Sequence, residues 1–187
     1  MDATDEDDIQ EVWDARADAL ARLFGSGHDD VLHAPHPFVL GGDAEVMVFY
    51  RHLDGAVYVT AELTGKPHAC YADYELMMCH RSPQDWGPSI ISRLAPYTQD
   101  AYIAAGESMD IDRATPPDSA IKALLFDTYG TFTLFGQANE VRLCIGITAA
   151  ELQFKHTHGS DRLLELLKRH RVYPFTDLER TSVPLAR

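Results

Sequence analysis

Apolar residues recur at helical spacing near the start of the chain, at Ile9, Val12, Trp13, Leu20, Leu23 and Phe24. The spacing predicts an amphipathic helix over Asp5 to Phe24. Thr4 reads as its cap, the acidic residues suit the positive end of its dipole, and Gly25 and Gly27 mark its end. After a Pro-broken loop with a short strand at Val31-Leu32, the period changes. From Ala44 to Arg51, Val46, Val48 and Tyr50 alternate with Met47 and Phe49. Both sides are apolar, so the pattern predicts a strand covered on each face. Leu53-Asp54-Gly55 turns the chain into a strand over Ala56 to Leu63, and Asp73 to His80 is another. A helix is expected from about Gly87 to Leu94, with Pro88 in its first turn and Pro96 ending or kinking it.

The second half repeats this change of period. Thr98 to Ser119 reads as loop with a short strand near Met109 to Ile111. Lys122 to Tyr129, Thr131 to Phe135 and Glu140 to Ile147 are expected as three strands, with turns at Tyr129-Gly130 and at Gly136 to Asn139. Thr148 and Glu151 have capping-box spacing ahead of a short helix that Gly159 closes. Ser160-Asp161 opens a last helix with Leu163, Leu164, Leu166 and Leu167 as its buried stripe. The order lacks regular strand–helix alternation. It predicts an α+β domain: a mixed, mostly antiparallel sheet with helices packed on it. Residues 1–28 belong to this single domain, 29–172 form its body, and 173–187 read as a tail with a frayed end near Pro184.

Composition narrows the function classes. A chain of 187 residues reads as one domain, large enough to bury a sizeable core. No apolar run approaches the roughly 20 residues that span a bilayer. The acidic N-terminus is the opposite of a signal peptide, so a cytoplasmic location is expected. A net charge of -13 disfavours nucleic acid and anionic membranes as partners and favours a basic protein.

Candidate chemistry is thin. His33-x-x-His36 lies in a broken loop, and His156-x-His158 points its rings apart on a helix. Cys79 and His80 are adjacent, so they face opposite sides of a strand. None has a recognised zinc spacing. Cys70 is a conceivable nucleophile, but nothing selects its base. Cys79 and Cys144 sit in apolar runs and read as small core residues. Among the many acidic residues, the Asp110 and Asp112 pair would share a strand face, as chance pairs do in so acidic a chain. No catalytic residue, cofactor or metal is expected.

Several segments carry more information by their order. Val57-Tyr58-Val59-Thr60-Ala61-Glu62-Leu63-Thr64-Gly65 is followed by Tyr74-Glu75-Leu76-Met77-Met78. Then come Trp86-Gly87-Pro88-Ser89-Ile90-Ile91, Leu94-Ala95-Pro96-Tyr97 and Cys144-Ile145-Gly146-Ile147-Thr148-Ala149-Ala150-Glu151-Leu152-Gln153-Phe154. In this order they resemble the suppressor-of-fused-like domain family over roughly Val31 to Arg169. One departure is Glu62, where the family usually has a small residue. The resemblance implies an α+β domain that binds proteins, in a compact bacterial form without the second large domain of the animal relatives. Such bacterial relatives resemble immunity proteins that neutralise a toxin. The animal relatives imply a different role, a regulatory scaffold that masks a peptide or transcription factor by strand addition. A small metal-dependent or cysteine hydrolase is the third class. The resemblance places Glu62 and Glu75 around the sheet. They are expected to line a recognition groove, with Tyr58, Tyr74 and Trp86 as aromatic anchors.

Overall fold

The computed structural model describes residues 3–67 and 72–185, and side chains from Asp8 onward. A seven-stranded sheet organises the chain. Its strands are β1 (Asp30–Leu32), β2 (Val46–Phe49), β3 (Ala56–Thr60), β4 (Tyr74–His80), β5 (Ser108–Asp110), β6 (Ile121–Leu134) and β7 (Gln137–Thr148). The order is β1-β2-β3-β4-β7-β6-β5. Neighbours are antiparallel except β4 and β7, which run parallel. The helices are α1 (Ala3–Phe24), α2 (Trp86–Leu94), α3 (Ala149–His158) and α4 (Ser160–Arg169). The mixed, mostly antiparallel α+β architecture is as the patterning predicts.

Alternation along each strand feeds two cores. Met47, Phe49, Val57, Val59, Met77 and Cys79 pack on one face against α1, α3 and α4. Val46, Val48, Tyr58, Tyr74, Leu76 and Met78 pack on the other, against α2 and Phe38. The apolar character of β2 on both sides follows from this double cover, since every residue of the strand is buried. In α4 the Leu163, Leu164, Leu166 and Leu167 stripe is buried as its spacing requires. Thr148 and Glu151 form the capping box of α3.

Several local expectations are corrected. The first helix begins at Ala3, one residue before the expected cap. Ile9, assigned to its buried face, is 58% exposed. Helix α2 ends at Leu94, as expected ahead of Pro96, but the chain continues as a 3-10 turn over Ala95–Gln99, near whose start the proline is tolerated. Tyr129-Gly130 is not a turn. The register steps from Thr128↔Arg142 to Gly130↔Val141, so Tyr129 is an extra residue bulged out of one long strand. The hairpin turn that follows is only Phe135-Gly136, both with positive φ (48° and 77°), so Asn139 lies within β7.

The segment expected as a tail is packed as far as Val183. Phe175, Thr176 and Val183 are buried. The Thr176 N–H donates to Cys79 O (2.8 Å), and the Gly146 N–H donates to Thr176 Oγ1 (2.8 Å). Residues 175–176 therefore wedge between β4 and β7 beyond the point where their pairing ends. Gly146 makes room for the wedge: a Cβ there would lie 2.7 Å from Thr176 Cγ2. Arg180 then clamps Glu151 of α3 with its two terminal guanidinium nitrogens, each at 2.6 Å.

Candidate protein-binding surface

The aromatic and acidic residues singled out in the sequence do not form one groove. Glu75 is fully buried. Its carboxylate accepts from Thr60 Oγ1 (2.7 Å), Leu63 N (3.1 Å), Thr64 N (2.9 Å) and Thr64 Oγ1 (2.7 Å), and pairs with Arg16 Nε at 3.2 Å. The Arg16 guanidinium also donates to the carbonyls of Ala61 and Thr64. This pair pins α1 to the turn after β3. Burial pushes the Glu75 carboxyl up and the Arg16 guanidinium down, each against the attraction of the other. Glu62 is half-buried and accepts from the Glu45 N–H (2.8 Å), and burial raises its pKa as well.

Tyr74 is buried under Tyr102 and the Arg142 guanidinium, and its hydroxyl accepts from the Ile103 N–H at 3.0 Å. Tyr58 is buried too, while Trp86 is half-buried and donates its indole N–H to Ala114 O (2.8 Å). Both rings pack edge-on to His80. Buried Tyr58, Tyr74 and Glu75 offer no surface to a partner in this structure. Their apolar strand positions lie on covered faces of the sheet, whereas a half-exposed sheet would have turned one face outward. Cys70 lies outside the described residues. Burial pushes the Cys144 thiol up to about 12 and the Cys79 thiol higher still, so both stay protonated. Among the described residues no group of three or more His, Cys, Asp or Glu is placed to hold a metal ion.

A candidate surface lies at the β1 edge. A groove of about 300 Å³ runs between β1, the loop after it and α2. Leu32, Ala34 and Pro35 form one wall, and Pro88, Ser89 and Ser92 the other. Asp43, Asp85, His33 and Arg93 supply its charges. His33 is paired with Glu45 at 2.8 Å, a bond that raises its pKa.

The same loop displays two apolar residues. Phe38 is fully buried, while the next two residues, Val39 and Leu40, are 64% and 80% exposed. They are held there by a tight 3-10 turn. Leu40 N donates to Pro37 O (3.0 Å), Gly41 N to Phe38 O (2.9 Å) and Gly42 N to Pro37 O (3.1 Å). Gly41 takes the left-handed conformation (φ 82°), and a Cβ on Gly42 would lie 2.1 Å from His36 O. Ser92 of α2 anchors the end of the loop through the Ala44 N–H and carbonyl. The turn thus exposes adjacent Val and Leu on the loop that also supplies Ala34, Pro35 and Asp43 to the groove. Sequence reasoning passed over it as loop; its one signal was an apolar run, Phe38-Val39-Leu40, set between prolines and glycines.

Comparison with known proteins places the fold. The profile of the suppressor of fused protein family matches residues 56–181. The chain belongs to this family. Its fold resembles the Sufu–Fu complex crystal structure, with a TM-score of 0.73 at 12% identity and 91% of each chain covered. Drosophila Suppressor of Fused gives 0.71 at 12% identity over 89% of this chain. The match spans only 50% of the Drosophila protein. A suppressor of fused homolog from Neisseria gonorrhoeae gives 0.67 at 14% identity, covering 92% of this chain and 97% of its own. No curated protein matches the sequence. Among the described residues no helix is long and apolar enough to cross a membrane.

Proposed function

We propose that the chain is a non-enzymatic protein-binding domain, and that it engages its partner through the β1 edge, the Val39-Leu40 turn and the groove beside α2. The exposed turn carries this reading, because three backbone hydrogen bonds and two glycines hold apolar side chains in water. The partner is a basic protein, and the immunity reading follows: steric blockade of a toxin, in the cytoplasm of a bacterial cell. The net charge of -13 supports it by raising encounter rates with a cationic surface. Membership of a family with a member crystallised in complex with Fu supports protein binding in general.

The test is capture from a lysate of the source cells on immobilised wild type and on Val39→Ser/Leu40→Ser, eluted with a salt gradient. Fully burying one Val or Leu side chain contributes about 1.5–3 kcal/mol, so the double variant should lose at least tenfold in affinity. Both residues are exposed, so its stability should stay within about 0.5 kcal/mol of wild type. A basic protein held by wild type, released at moderate salt and lost from the variant, supports the proposal. A partner that binds both proteins equally refutes the surface. One observation favours the scaffold reading: β1 is an edge strand, open to strand addition. In that case binding would persist at high salt.

A further inference from the structure

His80 closes β4, and its ring is fully buried. Its Nδ1 lies 2.8 Å from Thr176 O. A carbonyl only accepts, so Nδ1 carries the proton and the neutral ring presents Nε2 as a bare acceptor. Among the described residues nothing hydrogen bonds to Nε2. That atom faces the first turn of α2. A Cβ on Gly87 would lie 2.1 Å from Nε2 and 2.6 Å from Cδ2. The Tyr58 and Trp86 rings close the sides, edge-on at 6.0 and 6.2 Å.

Charged and titratable groups around the ring are few. From β3 comes Tyr58, whose hydroxyl accepts from the Gln84 N–H at 3.1 Å, with Asp85 beside it at the start of α2. The C-terminal segment contributes Asp177. Arg81, next along the chain, turns away: it donates to Arg171 O (2.8 Å) and lies over the Phe175 ring at 4.3 Å. On β4 itself, Cys79 points to the opposite core.

We propose that His80 is a proton-operated latch on α2, in which protonation of Nε2 pushes the first turn of α2 away from the sheet and shifts the groove wall that α2 supplies. The added N–H would be charged, buried and aimed at a glycine backbone. Burying a donor without an acceptor is unfavourable, and more so for a charged one. Nδ1 donates to Thr176 in both protonation states, so the C-terminal segment keeps its hold on the ring. The displacement falls instead on Trp86 and Gly87, and through them on Pro88, Ser89, Ser92 and Arg93 in the groove. Burial holds the His80 pKa below the ordinary 6.5, whereas Glu45 holds that of His33 above it. The two histidines near the groove thus titrate on opposite sides of that value. Control of partner binding rests on the surface proposed above; the latch itself does not.

The test follows the backbone amide signals of Gly87 to Ser92 and the His80 ring signal by NMR, from about pH 8 to about pH 5, where histidine changes charge. Wild type is compared with His80→Asn, which keeps a donor for Thr176 O but cannot titrate, and with His33→Asn. The expected result is one midpoint below 6.5 shared by the ring and the α2 amides, in wild type and His33→Asn. In His80→Asn the amides stay still. Stationary amides while the ring titrates overturn the latch, as do amides that move equally in His80→Asn or a ring that stays neutral until the protein unfolds. Should His80→Asn not fold, the other two proteins decide: an α2 midpoint different from that of the ring refutes it. Partner affinity over the same range separates the two proposals. If α2 moves while affinity is constant, the latch stands and the groove is not the binding site.

Discussion

Replacing Arg16 by Met tests whether α1 is held by its charge or only by its apolar stripe. The variant keeps the stem of the side chain and removes the guanidinium. Glu75 then remains fully buried with Thr60, Leu63 and Thr64 as donors but no cation, and the carbonyls of Ala61 and Thr64 lose their Arg16 donors. Breaking a buried pair by removing one partner costs about 3–5 kcal/mol. That is a large part of the roughly 5–15 kcal/mol that holds an ordinary domain together. At about 2–4 °C per kcal/mol for a domain of this size, Tm should fall by about 6–20 °C. Urea unfolding followed by circular dichroism measures the loss directly. The double variant Arg16→Met/Glu75→Gln should lose less than the sum of the single losses by about 0.5–3 kcal/mol, because the second change removes the stranded charge. A loss below about 1 kcal/mol for Arg16→Met, or strict additivity, would refute the reasoning. The exposed bonds of Lys66 to Asp8 and Glu11 should contribute far less, since water screens them.

Two other outcomes follow from the C-terminal segment. Burial alone would raise the Glu151 carboxyl, but the Arg180 fork and the Thr148 and Val183 N–H groups outweigh it and hold it below the ordinary 4.5. A depressed carboxylate contributes stability above its unfolded value and loses it as pH falls through the folded one. Arg180→Met should therefore begin to unfold at a higher pH than wild type in an acid titration by circular dichroism; superimposable curves would count against the clamp. Gly146→Ala drives a methyl to within 2.7 Å of Thr176 Cγ2 and 2.9 Å of Ile121 Cγ2. It should cost about 1–3 kcal/mol in urea unfolding, with partial recovery when Thr176→Ser is added, and an undiminished stability would sink the wedge.

Most of the elements were legible because their signals are local. The leucine spacing of α4, the Thr148–Glu151 capping box and the two-sided apolar run of β2 each name their own structure. The candidate site was less legible. The reading of α1 counted apolar positions and so passed over Arg16, a long cation that packs inward only because Glu75 waits on a strand far away in sequence. His80 was read as the neighbour of Cys79, and nothing in its flanks points to Gly87 or Thr176. Of the five expected binding residues, Tyr58, Tyr74 and Trp86 went into the core beneath α2 and Glu75 into a buried ion pair, since an apolar strand position says that a face is covered but not by what.

Periodicity, caps and charge determine element type, the double-sided sheet and an acidic surface, because each depends on residues close together in the chain. Tyr129-Gly130 shows where that stops. The pair suits a turn or a bulge equally well, and only the register against Arg142 and Val141 selects the bulge. The wedge of Thr176 between β4 and β7, the burial of Tyr58 and Tyr74, and the exposure of Leu40 are decided the same way. Each depends on contacts between segments tens of residues apart, whose free energies no local pattern records.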